Sequence, residues 1–136
     1  MKYLIFIMFI SNLMSSQNLN KHQWNDRVIV ITADEANREM AEEQFATLMK
    51  DKEKLIERKI VLYKCVEEKC TLYNLKDNPT RFQEIETSKG FKIVLIGLDG
   101  GEKYSSKSTV KTNVLLNLID AMPMRRQELK STNKND

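Results

Sequence analysis

Two pairs of residues in this 136-residue chain carry chemistry worth following. Cys65 and Cys70 are its two cysteines, spaced C-x4-C around Val66-Glu67-Glu68-Lys69. If those four residues form a loop, the cysteines flank it across a hairpin. Their Cα atoms then fall within the window of about 4.4–6.8 Å that a disulfide accepts. Closing so small a loop stabilises a fold by roughly 2 kcal/mol on a chain-entropy estimate. The alternative is a redox pair. Glu67 and Glu68 weigh against it, because nearby carboxylates raise a thiol pKa and deplete the reactive thiolate. Metal binding is weaker still, since two cysteines and a distant His22 do not complete a zinc ligand set. The second pair is Arg125-Arg126, just beyond a helix-stopping Pro123. Cations there meet the negative end of a helix or pair with Asp120 and Glu128. The functional alternative is a guanidinium pair gripping a carboxylate or phosphate on a partner. His22 is the single histidine and is expected to be solvent-exposed in the linker before the domain, so no Ser-His-Asp arrangement assembles. A Gly-rich phosphate loop is also missing, and neither a cofactor nor a metal is implied.

These residues need a scaffold, and apolar patterning supplies one. Val28-Ile29-Val30-Ile31 is β-branched and continuously apolar, the mark of a strand buried on both faces. Trp24 is expected to anchor its entrance. Asp34 is placed to cap a helix over about Asp34 to Lys50, with Ala36, Met40, Ala41, Phe45, Leu48 and Met49 on one face. Lys59 to Lys64 reads as a second strand, parallel to the first through a right-handed crossover. A hairpin or tight excursion around the cysteines follows, then a short helix over Thr80 to Glu86. Gly90 to Ile96 is the third main strand. Asp99-Gly100-Gly101 supplies a tight turn, and Glu102 to Ser106 returns antiparallel. The last helix, capped by Ser108 or Thr109, places Val110, Val114, Leu115, Leu118 and Ile119 on one face. A parallel βαβ half thus joins an antiparallel ββα half: α/β, with a central mixed sheet of about four strands flanked by helices.

Composition limits the function classes. Lys and Arg number 22 against 19 Asp and Glu, a net charge of +3. That excess is too small, and too mixed in sign, to point to nucleic acid. Lys2, an apolar run over Tyr3 to Ile10, and Ser15-Ser16-Gln17 have the form of a secretory signal peptide. The run is too short for a membrane span. Cleavage after Ser16 is expected, leaving a linker over 17–23, a domain over 24–130 and a polar, frayed tail over 131–136. The mature protein would be periplasmic or extracellular, with no stable membrane span.

Three segments carry a family resemblance: Trp24-Asn25-Asp26-Arg27-Val28, Val94-Leu95-Ile96-Gly97-Leu98-Asp99-Gly100-Gly101, and Leu118 through Glu128 with its Asp120-Ala121-Met122-Pro123-Met124-Arg125-Arg126 core. Through them the chain resembles an uncharacterised family of secreted thioredoxin-like or peroxiredoxin-like domains. Its bacterial members are small exported proteins, and related domains occur in sushi-repeat-containing extracellular proteins. The resemblance implies a thioredoxin-like fold and brings no established activity. The chain departs from thioredoxins where their chemistry resides. Thr32 to Glu39 holds no cysteine where a C-x-x-C would open the first helix, and Lys92 stands where the cis-proline would. A non-enzymatic binding module is therefore expected, its contacts drawn from the vacated groove, Lys92, Arg125 and Arg126. Its partner would be a protein or a small anionic ligand. The alternative is a thiol-disulfide or peroxide-linked redox protein using Cys65 and Cys70.

Overall fold

A computed structural model describes residues 22–76, 79–82 and 89–135. The expected signal peptide, residues 1–16, and most of the linker lie outside the described residues. Strand β1 (Arg27–Ala33) is buried along its whole length, as its unbroken apolar run requires. It pairs parallel with β2 (Ile60–Val66) on one side and antiparallel with β5 (Phe91–Ile96) on the other. Beyond β2 lie β3 (Lys69–Tyr73) and the three-residue β4 (Thr80–Phe82). Beyond β5 lies β6 (Glu102–Ser106). The sheet order is β4-β3-β2-β1-β5-β6.

The sheet is wider than the four strands expected. Five principal strands are extended by the short edge strand β4, because the cysteine hairpin adds to the sheet instead of leaving it. Thr80 therefore opens a strand, not the short helix expected there; residues 83–86 of that helix lie outside the described residues.

Helix α1 (Arg38–Met49) follows a 3-10 turn, Glu35–Asn37. Asp34 caps that turn, its Oδ1 accepting from the Asn37 amide at 3.1 Å and its Oδ2 from the Gly90 amide at 2.7 Å. These bonds hold its carboxyl below the ordinary carboxylate value, the Gly90 amide contributing most. The charged run after α1 breaks at Lys50-Asp51 and resumes as α2 (Lys52–Glu57), anchored by fully buried Leu55. Helices α1 and α2 join α3 (Thr112–Asp120) on one face of the sheet, where Ile29, Ile31, Leu62, Ile93 and Leu95 meet Ala41, Leu48, Leu55, Leu115 and Ile119. The other face carries a strand-borne cluster of Val28, Val30, Val61 and Tyr63.

Three expectations about the C-terminal region are corrected. The N-cap of α3 is Lys111, with no side-chain cap. In place of a cap, buried Gln44 clamps the lead-in, accepting from the Val110 amide at 2.7 Å and donating to the Val110 carbonyl at 3.0 Å. The buried stripe of α3 is Thr112, Leu115, Leu116 and Ile119, an i, i+3, i+4, i+7 set, so Val114 and Leu118 remain exposed. Pro123 separates two helices: α3 ends at Asp120 and Pro123 opens α4 (Pro123–Asn135) at the position where a missing amide hydrogen costs nothing. This helix includes residues 131–135 of the segment read as a tail; Asp136 lies outside the described residues.

Candidate interaction site

The cysteine hairpin occupies one end of the sheet. Cys65 and Cys70 lie directly opposite each other on β2 and β3 and are disulfide-bonded, with Cα atoms 4.0 Å apart, closer than expected. The connection is the two-residue turn Glu67-Glu68, with Glu67 in the left-handed region at φ 56°. Both cysteines are buried. Thr32 stands opposite Cys65, and half-buried Lys92 stands opposite Thr32. Strand alternation gives these residues a common face, so Lys92 and the disulfide share one row at the C-terminal end of β1.

Arg125 and Arg126 lie at the opposite end. Thr32 is five residues along β1 from Arg27, roughly 17 Å at about 3.3 Å per residue. The structure therefore does not join Lys92 to the arginine pair. It also separates the two arginines. Arg126 is exposed, whereas Arg125 is 4% exposed. Arg125 spends its guanidinium on three carboxylates: Glu57 at 2.9 Å, Asp120 at 3.3 Å and Glu128 at 3.3 Å. Burial pulls its pKa down, but the bonds to Glu57, Glu128 and Asp120 outweigh this and the net shift is upward. Arg58 takes both Asp120 oxygens at 2.9 Å, which holds that carboxyl below its ordinary value. Arg27, fully buried at the entrance of β1, donates to the Arg58 carbonyl at 2.8 Å and lies 3.3 Å from Glu128. The pairing reading of Arg125 with Asp120 and Glu128 matches this geometry. A structure reaching from β1 to α4 is locked by it.

Above this network the surface is apolar. Trp24 is 62% exposed, so it does not pack at the strand entrance as expected. Its backbone is left-handed, at φ 70°, and its amide donates to the Leu98 carbonyl at 2.6 Å. That bond seats the indole beside the β5–β6 turn. Gly100 gives this turn its positive φ of 84°, and Asp99 binds it from within, accepting from Lys103 at 2.8 Å and from the Gly101 amide at 2.9 Å. Those bonds, Lys103 foremost, depress the Asp99 pKa. Leu118, Met124 and Leu129 are each exposed by more than a third. Two clefts open between these residues. One, of about 460 Å³, runs from Leu98 to Leu118, Met122 and Met124. The other, of about 600 Å³, lies between Trp24, Leu98, Met124 and Leu129. They share Leu98 and Met124 as a common wall.

His22 also departs from expectation. It is 6% exposed, not a solvated linker residue. Its Nδ1 lies 2.8 Å from Asp26 and its Nε2 lies 2.5 Å from the hydroxyl of fully buried Tyr63. With Asp26 accepting from Nδ1–H, Nε2 accepts from the Tyr63 hydroxyl. The arrangement resembles a catalytic relay, but a buried phenol offers no access to a substrate. It fastens the residues before β1 onto the sheet.

Sequence reasoning named Asp120 and Glu128 as partners of Arg125 but missed Arg27, Glu57 and Arg58, because these meet the network across 31 to 101 positions, as in Arg58 with Asp120. One signal was available. The three segments that carry the resemblance, around Trp24, Asp99 and Met124, converge at this single end of the sheet.

The family model described as domain of unknown function (DUF4174) matches residues 18–128. No significant match was found among curated proteins or among solved structures. The chain belongs to the DUF4174 family.

Proposed function

We propose that this member of the DUF4174 family is a non-enzymatic binding module, and that its contact surface is the apolar end formed by Trp24, Leu98, Leu118, Met124 and Leu129. The exposed tryptophan carries the reading. A large apolar side chain left in water beside Met and Leu marks a contact site more often than a structural accident, and Trp and Met are enriched at interface centres. The ion network beneath keeps the surface rigid, which lowers the entropy lost on binding. Arg126 is assigned to the rim; Arg125 is assigned to the brace. The scaffold is thioredoxin-like in plan, since β1-α1-β2 is parallel while β5-β6-α3 is antiparallel within one sheet. The mature protein is exported after loss of residues 1–16, consistent with a disulfide and with no described helix long and apolar enough to cross a membrane.

A test uses Trp24→Ala and Leu118→Asp, both at exposed positions. Each should leave the circular dichroism spectrum and the thermal midpoint nearly unchanged, while abolishing cross-linking to partners in an envelope extract. Variants that capture partners as well as wild type would overturn the assignment. A redox role for Cys65 and Cys70 is the second reading, favoured by their place at the C-terminal end of β1 and β2, the end at which open α/β sheets hold their ligands. Burial of both cysteines weighs against it, because exchange needs a thiolate to reach a sulfur. Rapid reduction of the native protein by a thioredoxin-type dithiol would favour this second reading.

A further inference from the structure

Five large apolar side chains are exposed among the described residues: Trp24, Val114, Leu118, Met124 and Leu129. Four belong to the contact surface assigned above. Val114 lies outside it, one turn before Leu118 on the outer side of α3. Spaced by four, Val114, Leu118 and Met122 form one ridge of the i±4 kind. The adjacent ridge is Asn113, Asn117 and Ala121, all exposed and all smaller. Helices pack by setting a ridge of one into a groove of the other, and here one helix carries both the ridge and the shallow place for it. Charge is missing from the same stretch. From Thr112 to Met124 the single charged residue is Asp120, in a chain whose residues are 30% charged. Asp120 is already paired, with both oxygens on Arg58 at 2.9 Å and one on Arg125 at 3.3 Å.

We propose that the outer side of α3 is a homodimer face, on which two copies of this chain pack α3 against α3 about a two-fold axis at Leu118. The charge pattern selects a second copy over a different protein. A two-fold axis sets every nearby charge against its own copy, so a self-associating surface is best charge-free at its centre. This stripe meets that condition, and it offers no charge by which a different partner would be chosen. Its shape agrees, because a ridge and its groove on one helix are self-complementary, as an isologous contact requires. Antiparallel pairing about Leu118 also places Val114 of the second copy, four residues from the axis, over Met122, four residues beyond it. Met122 lines the cleft with Leu98, Leu118 and Met124, so each cleft receives the other copy's Val114. Lys111 and Arg126, exposed at the two ends of the stripe, would oppose each other in an aligned pair, which favours helices crossed at about −50°. One helix face with a cleft rim offers less than the roughly 800 Å² per partner of a standard interface, so the dimer is weak and concentration-dependent. The inference deepens the contact-surface reading and rests on it, since Leu118 and Met124 belong to both.

Sedimentation velocity of the purified protein from about 1 μM to 1 mM tests the association. The mean mass should rise from one copy toward two. Val114→Asp, at a site 41% exposed, should keep the circular dichroism spectrum and dimerise at least about tenfold more weakly, because it sets a carboxylate against Met122. Cross-linking locates the axis. Cys65 and Cys70 are bonded to each other, so an introduced cysteine is the one free thiol of the chain. Leu118→Cys meets its own copy on the axis and should give a covalent dimer on air oxidation. Val114→Cys lies four residues from the axis, about 6 Å along the helix, so its two copies stand about 12 Å apart, beyond disulfide reach, and it should cross-link far more slowly. A protein that is single at every concentration, a Val114→Asp variant that dimerises like wild type, or a Val114→Cys variant that cross-links as fast as Leu118→Cys overturns the inference. If the protein stays single while Trp24→Ala abolishes partner capture, the contact surface stands and its occupant is not a second copy. If dimers form through Val114 while Trp24→Ala captures partners as well as wild type, the dimer stands and the wider contact surface falls.

Discussion

Replacing Arg125 with alanine separates brace from contact. The side chain makes three ion pairs, but they are unequal. Glu57 is 59% exposed, so its pair at 2.9 Å is worth about 0–1 kcal/mol. Asp120 and Glu128 are better shielded, yet neither is abandoned by the substitution. Asp120 retains both bonds from Arg58, and Glu128 retains Arg27. The full penalty of about 3–5 kcal/mol for orphaning a buried charge therefore does not apply. Two shielded contacts at about 0.5–1 kcal/mol each, plus the lost packing of the arginine stem, bring the sum to about 2 kcal/mol. For a domain of this size that is roughly 8 °C in thermal midpoint. Arg126→Ala, at an exposed site, should stay within about 0.5 kcal/mol of wild type. Urea unfolding followed by circular dichroism reads both. An Arg125→Ala loss below about 0.5 kcal/mol, or an Arg126→Ala loss of equal size, would refute the division of roles.

Other consequences follow from the same geometry. Cys65→Ala with Cys70→Ala should lower stability by roughly 2 kcal/mol in denaturant titrations, from loss of loop closure. Reduction of the native disulfide should be slow and should accelerate in urea; fast alkylation after mild reduction would contradict the burial of both sulfurs. Tyr63→Phe leaves His22 Nε2 without its donor and should cost about 1–2 kcal/mol, read by thermal melts; a neutral result would remove the anchoring role of His22. Asp120 has a folded pKa below its ordinary 3.8, chiefly through Arg58. It binds fewer protons folded than unfolded near that pH, so its stabilisation is complete above the ordinary value and is lost as pH falls through the folded one. Asp120→Asn should flatten this acid limb in melts taken from about pH 5 to pH 2, and an unchanged limb would count against the pairing.

Elements were legible where local pattern dominates. The apolar run of β1, the parallel crossover to β2, the Asp99-Gly100-Gly101 turn and the cysteine pairing all depend on near neighbours. Errors arose where an apolar residue had two possible environments. Val114 and Leu118 repeat with helical period, as do the buried residues of α3, and period alone does not say which stripe faces the sheet. Trp24 and His22 were exchanged for the same reason: hydropathy put the indole inside and the imidazole in water, while Asp26 and Tyr63 satisfy the imidazole and bury it.

Arg125 and Arg126 show the division most clearly. Their sequence neighbourhood is the same, and it determines that two guanidinium groups follow Pro123 at the start of a helix. Arg125 pairs with nearby Asp120 and Glu128, but its third partner, Glu57, and the arginines that share those carboxylates, Arg58 and Arg27, lie between 67 and 98 positions away, and only folding brings them into reach. The sequence by itself determined an α/β chain with a stapled hairpin and no thiol pair at the head of its first helix. Tertiary structure decided that one arginine is a brace, that the tryptophan is a surface, and that three distant segments share one end of the sheet. The physical reason is that burial and charge pairing are set by what lies opposite a side chain, and strand order, not chain order, chooses that neighbour.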